Sequence, residues 1–144
     1  MTPAFVPGFS FAKHALVGLA CQRARAGHAM KKLQNHLIGI DQGDVLLFSD
    51  FEDDGEMWAG DGPRRVVHEV QFSESYKTRP VVQVALSMWD MDRETNARAD
   101  LRAEEITTEG FNLVFRTWGD TRVARARAVW TSMGEVPHED DWVI

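Results

Sequence analysis

The segment GFNLVFRTWGDTRVARARAVWT, residues 110–131, decides the fold class. In its first half Phe111, Leu113 and Phe115 fall on one face of an extended chain, while Asn112, Val114 and Arg116 fall on the other. In its second half Ala124, Ala126, Ala128 and Trp130 oppose Val123, Arg125, Arg127 and Val129. A period of two belongs to a strand, because successive side chains leave a pleated backbone on opposite sides. Between the halves, Gly119-Asp120 supplies the residue types a tight reversal needs. The segment reads as two antiparallel strands.

The same period extends upstream. Glu109-Gly110 makes a second turn, preceded by runs over Arg98 to Ile106 and, after Pro80, over Val81 to Trp89. In Arg65 to Phe72 the residues Val66, His68, Val70 and Phe72 share a face, and Val45 to Phe51 forms the earliest run. Short strands with close turns and no helices between them predict an all-β domain, a six-stranded antiparallel β-sandwich. Ahead of it, Leu16, Leu19, Arg23, Ala26, Met30, Leu33, Leu37 and Ile40 follow the three-four spacing of a coiled-coil seam. Gly18 and Gly27 weaken that helix, so it needs a partner. The expected organisation is a tail and helical arm for oligomerisation or attachment over 1–42, followed by the sandwich over 43–144.

At 144 residues the chain has room for one core and an appendage. Its net charge of -6 argues against nucleic acid as a partner, since phosphate affinity rests on a basic face. The charge is uneven: Lys13, Arg23, Arg25, Lys31 and Lys32 precede an acidic stretch from Asp41 to Asp61. Cys21 is the single cysteine, so no intrachain disulfide can form. The apolar run Ala15 to Cys21 is short for a signal peptide, and no run approaches the ~20 apolar residues of a membrane span. Localisation is therefore left open, with cytoplasmic synthesis followed by release or particle assembly as one course.

Catalytic and metal chemistry find little support. No serine sits in a nucleophile elbow. Glu104 and Glu105 adjoin, and on a strand they would point to opposite faces, which discourages a glycosidase. The histidines lack metal spacing, and His68 on an apolar strand face suits a hydrogen-bonded interior residue better than a ligand. Asp50-x-Glu52-x-Asp54-Gly55, with Asp61 at the final position, distantly mimics a calcium loop, but a surface acidic loop over 50–61 is the preferred reading. Neither a metal nor another cofactor is expected.

Several motifs occur in a telling order: Phe72-x7-Pro80-Val81-Val82, Asn96-Ala97-Arg98, Ile106-Thr107-x2-Gly110-Phe111, Thr117-Trp118-Gly119-Asp120-Thr121-Arg122-Val123, and Trp130. Together they resemble the H-type lectin domain of snail agglutinins and discoidins, over roughly Trp58 to Met133. On that resemblance the chain is identified as a bacterial or phage-related member. The resemblance implies a six-stranded sandwich, protomers assembled as trimers, and sugars bound in clefts between subunits by an aspartate, an arginine and a tryptophan. Those roles fall on Asp61, Arg98 and Trp118. Gly119 belongs to the same ligand-binding set but replaces a histidine, and Ala124 replaces an aromatic, so the specificity of the snail lectins for N-acetylgalactosamine does not carry over.

The residue types suit the task. A carboxylate accepts from two adjacent hydroxyls, a guanidinium donates in a planar fork, and an indole offers an apolar face with one donor. Each residue also has a plain structural alternative: Asp61 a turn residue beside Gly62-Pro63, Arg98 a solvated strand charge, Trp118 a core aromatic. The leading expectation is a non-catalytic carbohydrate-binding module, a homo-oligomer of three chains or a multiple of three, serving cell adhesion. The alternative is a structural or attachment subunit of a spike, fibre or phage-like particle, joined through the N-terminal arm, that keeps the fold without the sugar.

Overall fold

In the computed structural model, which describes residues 29–34 and 36–142, the alternating runs become six strands. They are β1 (Ile38–Ser49), β2 (Arg64–Gln71), β3 (Val81–Met91), β4 (Asp100–Glu104), β5 (Gly110–Thr117) and β6 (Val123–Glu135). A single-turn helix, α1 (Glu56–Ala59), lies between β1 and β2, and a 3-10 turn over Glu139–Trp142 follows β6. Two three-stranded antiparallel sheets result, ordered β1-β6-β3 and β2-β5-β4. The two strands of the 110–131 segment thus become the central strands of different sheets.

That placement explains the core. Phe111, Leu113 and Phe115 of β5 are buried together with Ala126, Ala128 and Trp130 of β6. Small alanines on one central strand leave room for the phenylalanines of the other, the interdigitation a packed interior requires. Register aligns the rows: Phe115 lies between Val66 and Leu101, and Leu113 between His68 and Ala103. Phe72, Phe111 and Trp130 form an aromatic cluster with centroids 5.6–6.1 Å apart, and Tyr76 meets Phe72 edge-on at 5.0 Å. The Tyr76 hydroxyl is satisfied by Ser132 at 2.8 Å. Gly43 is required by packing, since a Cβ there would lie 2.9 Å from the Trp130 indole.

Perfect alternation fails at several points. The pairing of β1 with β6 shifts between Leu46 and Phe48, and the extra residue, Leu47, turns inward and is buried. His68 Nε2 donates to the Leu47 carbonyl at 2.7 Å, tying one sheet to the other. A carbonyl can only accept, so Nε2 carries the proton. His68 is the hydrogen-bonded interior residue its strand position predicts. The pairing of β3 with β6 shifts between Leu86 and Met88 and again between Asp90 and Met91, and the latter shift accompanies burial of Val123, which simple alternation had grouped with Arg125. Val114, grouped with Asn112 and Arg116, is buried as well, flanked by Val67 and Arg102 on the neighbouring strands.

The end of the expected helical arm is corrected. Residues 29–34 and Leu37 form no helix, and Ile40 lies within β1, which starts at Ile38 rather than beyond Gly43. Ile40 fits a period of two with Ile38 as well as the helical seam with Leu37, and β-branched residues interleaved with Gly39 and Gly43 favour the strand. The seam from Leu16 to Ala26 lies outside the described residues. Residues Lys32–Ile144 form one compact unit, which contains every strand among the described residues.

Candidate functional site

The expected site residues fall at one end of the sandwich, where β5 leaves and β2, β4 and β6 begin. Arg64 opposes Thr117, and Asp100 opposes Arg116, so the loops flanking these pairs share that end. Asp61 sits exposed in the loop before β2, beside Gly62, whose φ of +75 places it in the left-handed region glycine tolerates. The Gly62 amide donates to the Gly119 carbonyl at 3.0 Å, joining the Asp61 loop to the turn after Trp118.

Arg64, an unforeseen residue, holds this junction. It is only 4% exposed. Its Nε donates to the Gly62 carbonyl at 3.0 Å, Nη1 to Met57 at 3.1 Å, and Nη2 to Gly119 at 3.2 Å and Thr121 at 2.6 Å. A buried cation is tolerable when its donors are filled, and here backbone carbonyls from both loops fill them.

Arg98 precedes β4, and its carbonyl accepts from Thr117 Oγ1 at 2.7 Å. Its Nη1 is ion-paired with Asp120 and donates to Thr121 Oγ1 at 3.2 Å, while the Thr121 hydroxyl in turn donates to the Asn96 carbonyl. The guanidinium is therefore held in place while remaining partly exposed. The Arg98 hydrogen bond holds the Asp120 carboxyl below the usual aspartate range, against an opposing contribution from desolvation. Gly119 adopts φ +66, and a Cβ on it would lie 3.0 Å from Arg98 Nη1. A histidine at this position would face both backbone strain and the arginine.

Trp118 is 45% exposed, which removes it from the core. The fold thus gathers Asp61, Trp118, Gly119 and Arg98 at one rim. It adds Asp120 as a second carboxylate, whose pairing with an arginine 22 residues away leaves no local sequence signal.

The acidic loop has a structural task. Asp50 Oδ2 accepts the Met57 amide at 2.9 Å, and the Asp50 carbonyl accepts that of Gly55 at 2.9 Å, so this carboxylate orders the first turn of α1. Among the described residues no group of three or more His, Cys, Asp or Glu side chains is arranged to hold a metal. A cavity of about 570 Å³ lies at the opposite end of the sandwich among Glu69, Glu105 and Glu109 and includes none of the expected site residues.

Comparison with known proteins agrees with this architecture. A protein of Fuscovulum blasticum named ATP synthase subunits region ORF 7 is 53% identical over 107 residues, covering 74% of this chain and 93% of that protein. A discoidin-1 chain of Dictyostelium discoideum is 37% identical over 70 residues, 48% of this chain and 28% of the discoidin. Solved structures of discoidin II from the same organism superpose with TM-scores of 0.61 and 0.62 at 24% identity, over 74% of this chain and 40% of theirs. The chain spans less than half the length of these discoidins. Residues 67–133 match the H-type lectin domain, a span that includes Arg98, Trp118 and Gly119 but begins after Asp61. With that match and the discoidin-like pair of sheets, the chain belongs to the H-type lectin domain family.

Proposed function

We propose that the chain is a carbohydrate-binding module that acts without catalysis, as a homo-oligomer of three chains or a multiple of three. The observation that carries this reading is the meeting, around Gly119, of an exposed indole, a partly exposed and anchored guanidinium, and an exposed carboxylate. In the proposed complex Trp118 takes the apolar face of a sugar ring, Arg98 donates to hydroxyls, and Asp61 accepts from them. Binding needs little rearrangement, because Asp120 and Thr121 already hold Arg98 in one geometry.

The outer face of the β1-β6-β3 sheet supports the oligomer. Ile40, Met133 and Val81 are register partners across the three strands, and all are exposed. Val129 and Leu46 extend this surface. Exposed apolar residues on this face, interrupted by the polar row Gln42, Thr131 and Gln83, suit association with other copies of the chain. Light scattering tests this with an expected mass of three chains or a multiple; a monomer at micromolar concentration would contradict it. A glycan array probed with the purified protein tests the binding.

The second reading, an attachment subunit that kept the fold and lost the sugar, draws on Gly119. This residue contributes no side-chain donor beside the tryptophan. Absence of binding to any arrayed glycan, with the oligomer intact, would favour it.

A further inference from the structure

We infer that a second cavity, beside the rim formed by Asp61, Arg98 and Trp118, is a subsite for a further unit of a neutral glycan chain, so that the protein prefers extended saccharides to single sugars. This rests on the lectin reading above. The cavity measures about 370 Å³, and its lining includes Phe51, Glu52, Trp58, Asp90, Ala124 and Arg125. Its size is at the lower end for small-ligand sites.

The lining has the chemistry of sugar recognition. Phe51 and Trp58 meet edge to face, with centroids 4.9 Å apart. Phe51 is nevertheless 57% exposed, a large apolar ring left in water beside polar groups. Trp58 is fixed from another side: Arg122 stacks on its ring at 4.6 Å and donates Nε–H to its carbonyl at 3.1 Å. Immobilised aromatic rings suit the C–H face of a pyranose, since little ordering entropy is then lost on binding. Across the cavity, Arg125 Nε lies 3.3 Å from Asp90 Oδ2, an exposed pair that presents donors and acceptors together. The small Ala124 leaves the space beside them open.

Charge and connectivity narrow the ligand. Glu52 and Asp90 outnumber Arg125 around the cavity, which disfavours sulfated or carboxylated sugars and leaves neutral ones. Trp58 and Asp61 are three positions apart in the chain, so their Cα atoms lie within about 11 Å of each other. A short run of linked sugar rings spans that distance. Arg122, stacked on Trp58, follows directly on Thr121, which bonds Arg98, so one strand entry supports both places.

The test is an array carrying common neutral hexoses and N-acetylhexosamines, alone and as terminal units of di- and trisaccharides, probed with the wild type, Phe51→Ala and Asp90→Asn. Both substitutions are at exposed positions, and a thermal melt verifies that each variant is folded. The expected result is at least a tenfold stronger response to extended glycans than to their terminal sugar, reduced in both variants to the level of the single sugar. A wild type indifferent to chain length, or variants that keep the gain, would overturn the subsite while leaving the lectin reading intact. No response to any glycan would remove the lectin reading and the subsite together. If Phe51→Ala changes the oligomer and leaves chain-length dependence unaltered, the cavity is a contact between protomers and the inference fails.

Discussion

Gly119 lies so close to Arg98 that a Cβ added to it would come within 3.0 Å of the guanidinium Nη1. The arginine's position therefore depends on the absence of a side chain at its neighbour. Gly119→Ala is expected to cost about 1–2 kcal/mol, because φ +66 disfavours any residue with a Cβ, and to weaken glycan binding by displacing Arg98. Denaturant titration and array response check the two effects separately. Unaltered stability and binding would mean that the turn relaxes freely.

Arg64→Leu should be more damaging. It removes the donors from the carbonyls of Met57, Gly62 and Thr121, while the Gly119 carbonyl keeps the Gly62 amide, and each buried acceptor left unpaired costs roughly 1–3 kcal/mol. A total loss of about 3 kcal/mol or more is expected in denaturant unfolding. Arg64→Lys should rescue little, since an ammonium cannot reproduce the planar fork.

Asp120 sets an acid limit. Because its folded-state pKa is lowered, chiefly by Arg98, the pair's contribution is present above the ordinary aspartate value of ~3.9 and is lost as pH falls through the lowered folded value. Asp120→Asn should flatten that part of the stability profile in acid. Urea midpoints measured across the acid range for both proteins decide the matter. Identical profiles would show that the pair contributes nothing in solution.

Truncation distinguishes β1 from what precedes it. Removing residues 1–31 leaves every strand whole and should preserve a cooperative melt. Removing 1–42 deletes Ile38 to Gln42, the partners of Glu135 to Thr131 on β6, and should lower the melting temperature markedly. Equal melting temperatures would show that this part of β1 is dispensable.

What the sequence disclosed followed the range of each interaction. The inward rows of β2 and β5 were legible in Val66, His68 and Val70 and in Phe111, Leu113 and Phe115, because strand period is a local property. The start of β1 was not, since Ile40 fits both the helical seam and the strand period. Leu47 was hidden because a bulge depends on the partner strand. Arg98, Trp118 and Gly119 emerged from a motif order rather than from chemistry, and only the fold showed that the loop carrying Asp61 is tied to their turn, through the Gly62–Gly119 bond. Arg64 gave no sign, because its partners near β6 are backbone carbonyls 55 and 57 residues away.

In the proposed complex Arg98 and Trp118 bind sugar at the rim they share with Gly119. The most direct measurement compares the wild type with Arg98→Ala and Trp118→Ala on a surface displaying many copies of a glycan ligand, where multivalency raises apparent affinity by as much as ~10²–10⁴-fold. Loss of charge-assisted hydrogen bonds from Arg98 should cost on the order of 1.5–3 kcal/mol, at least a tenfold drop in affinity. Trp118→Ala should reduce binding comparably, and because the ring is 45% exposed the variant should melt and assemble as the wild type does. Wild-type binding by both folded variants would show that neither side chain contacts the sugar.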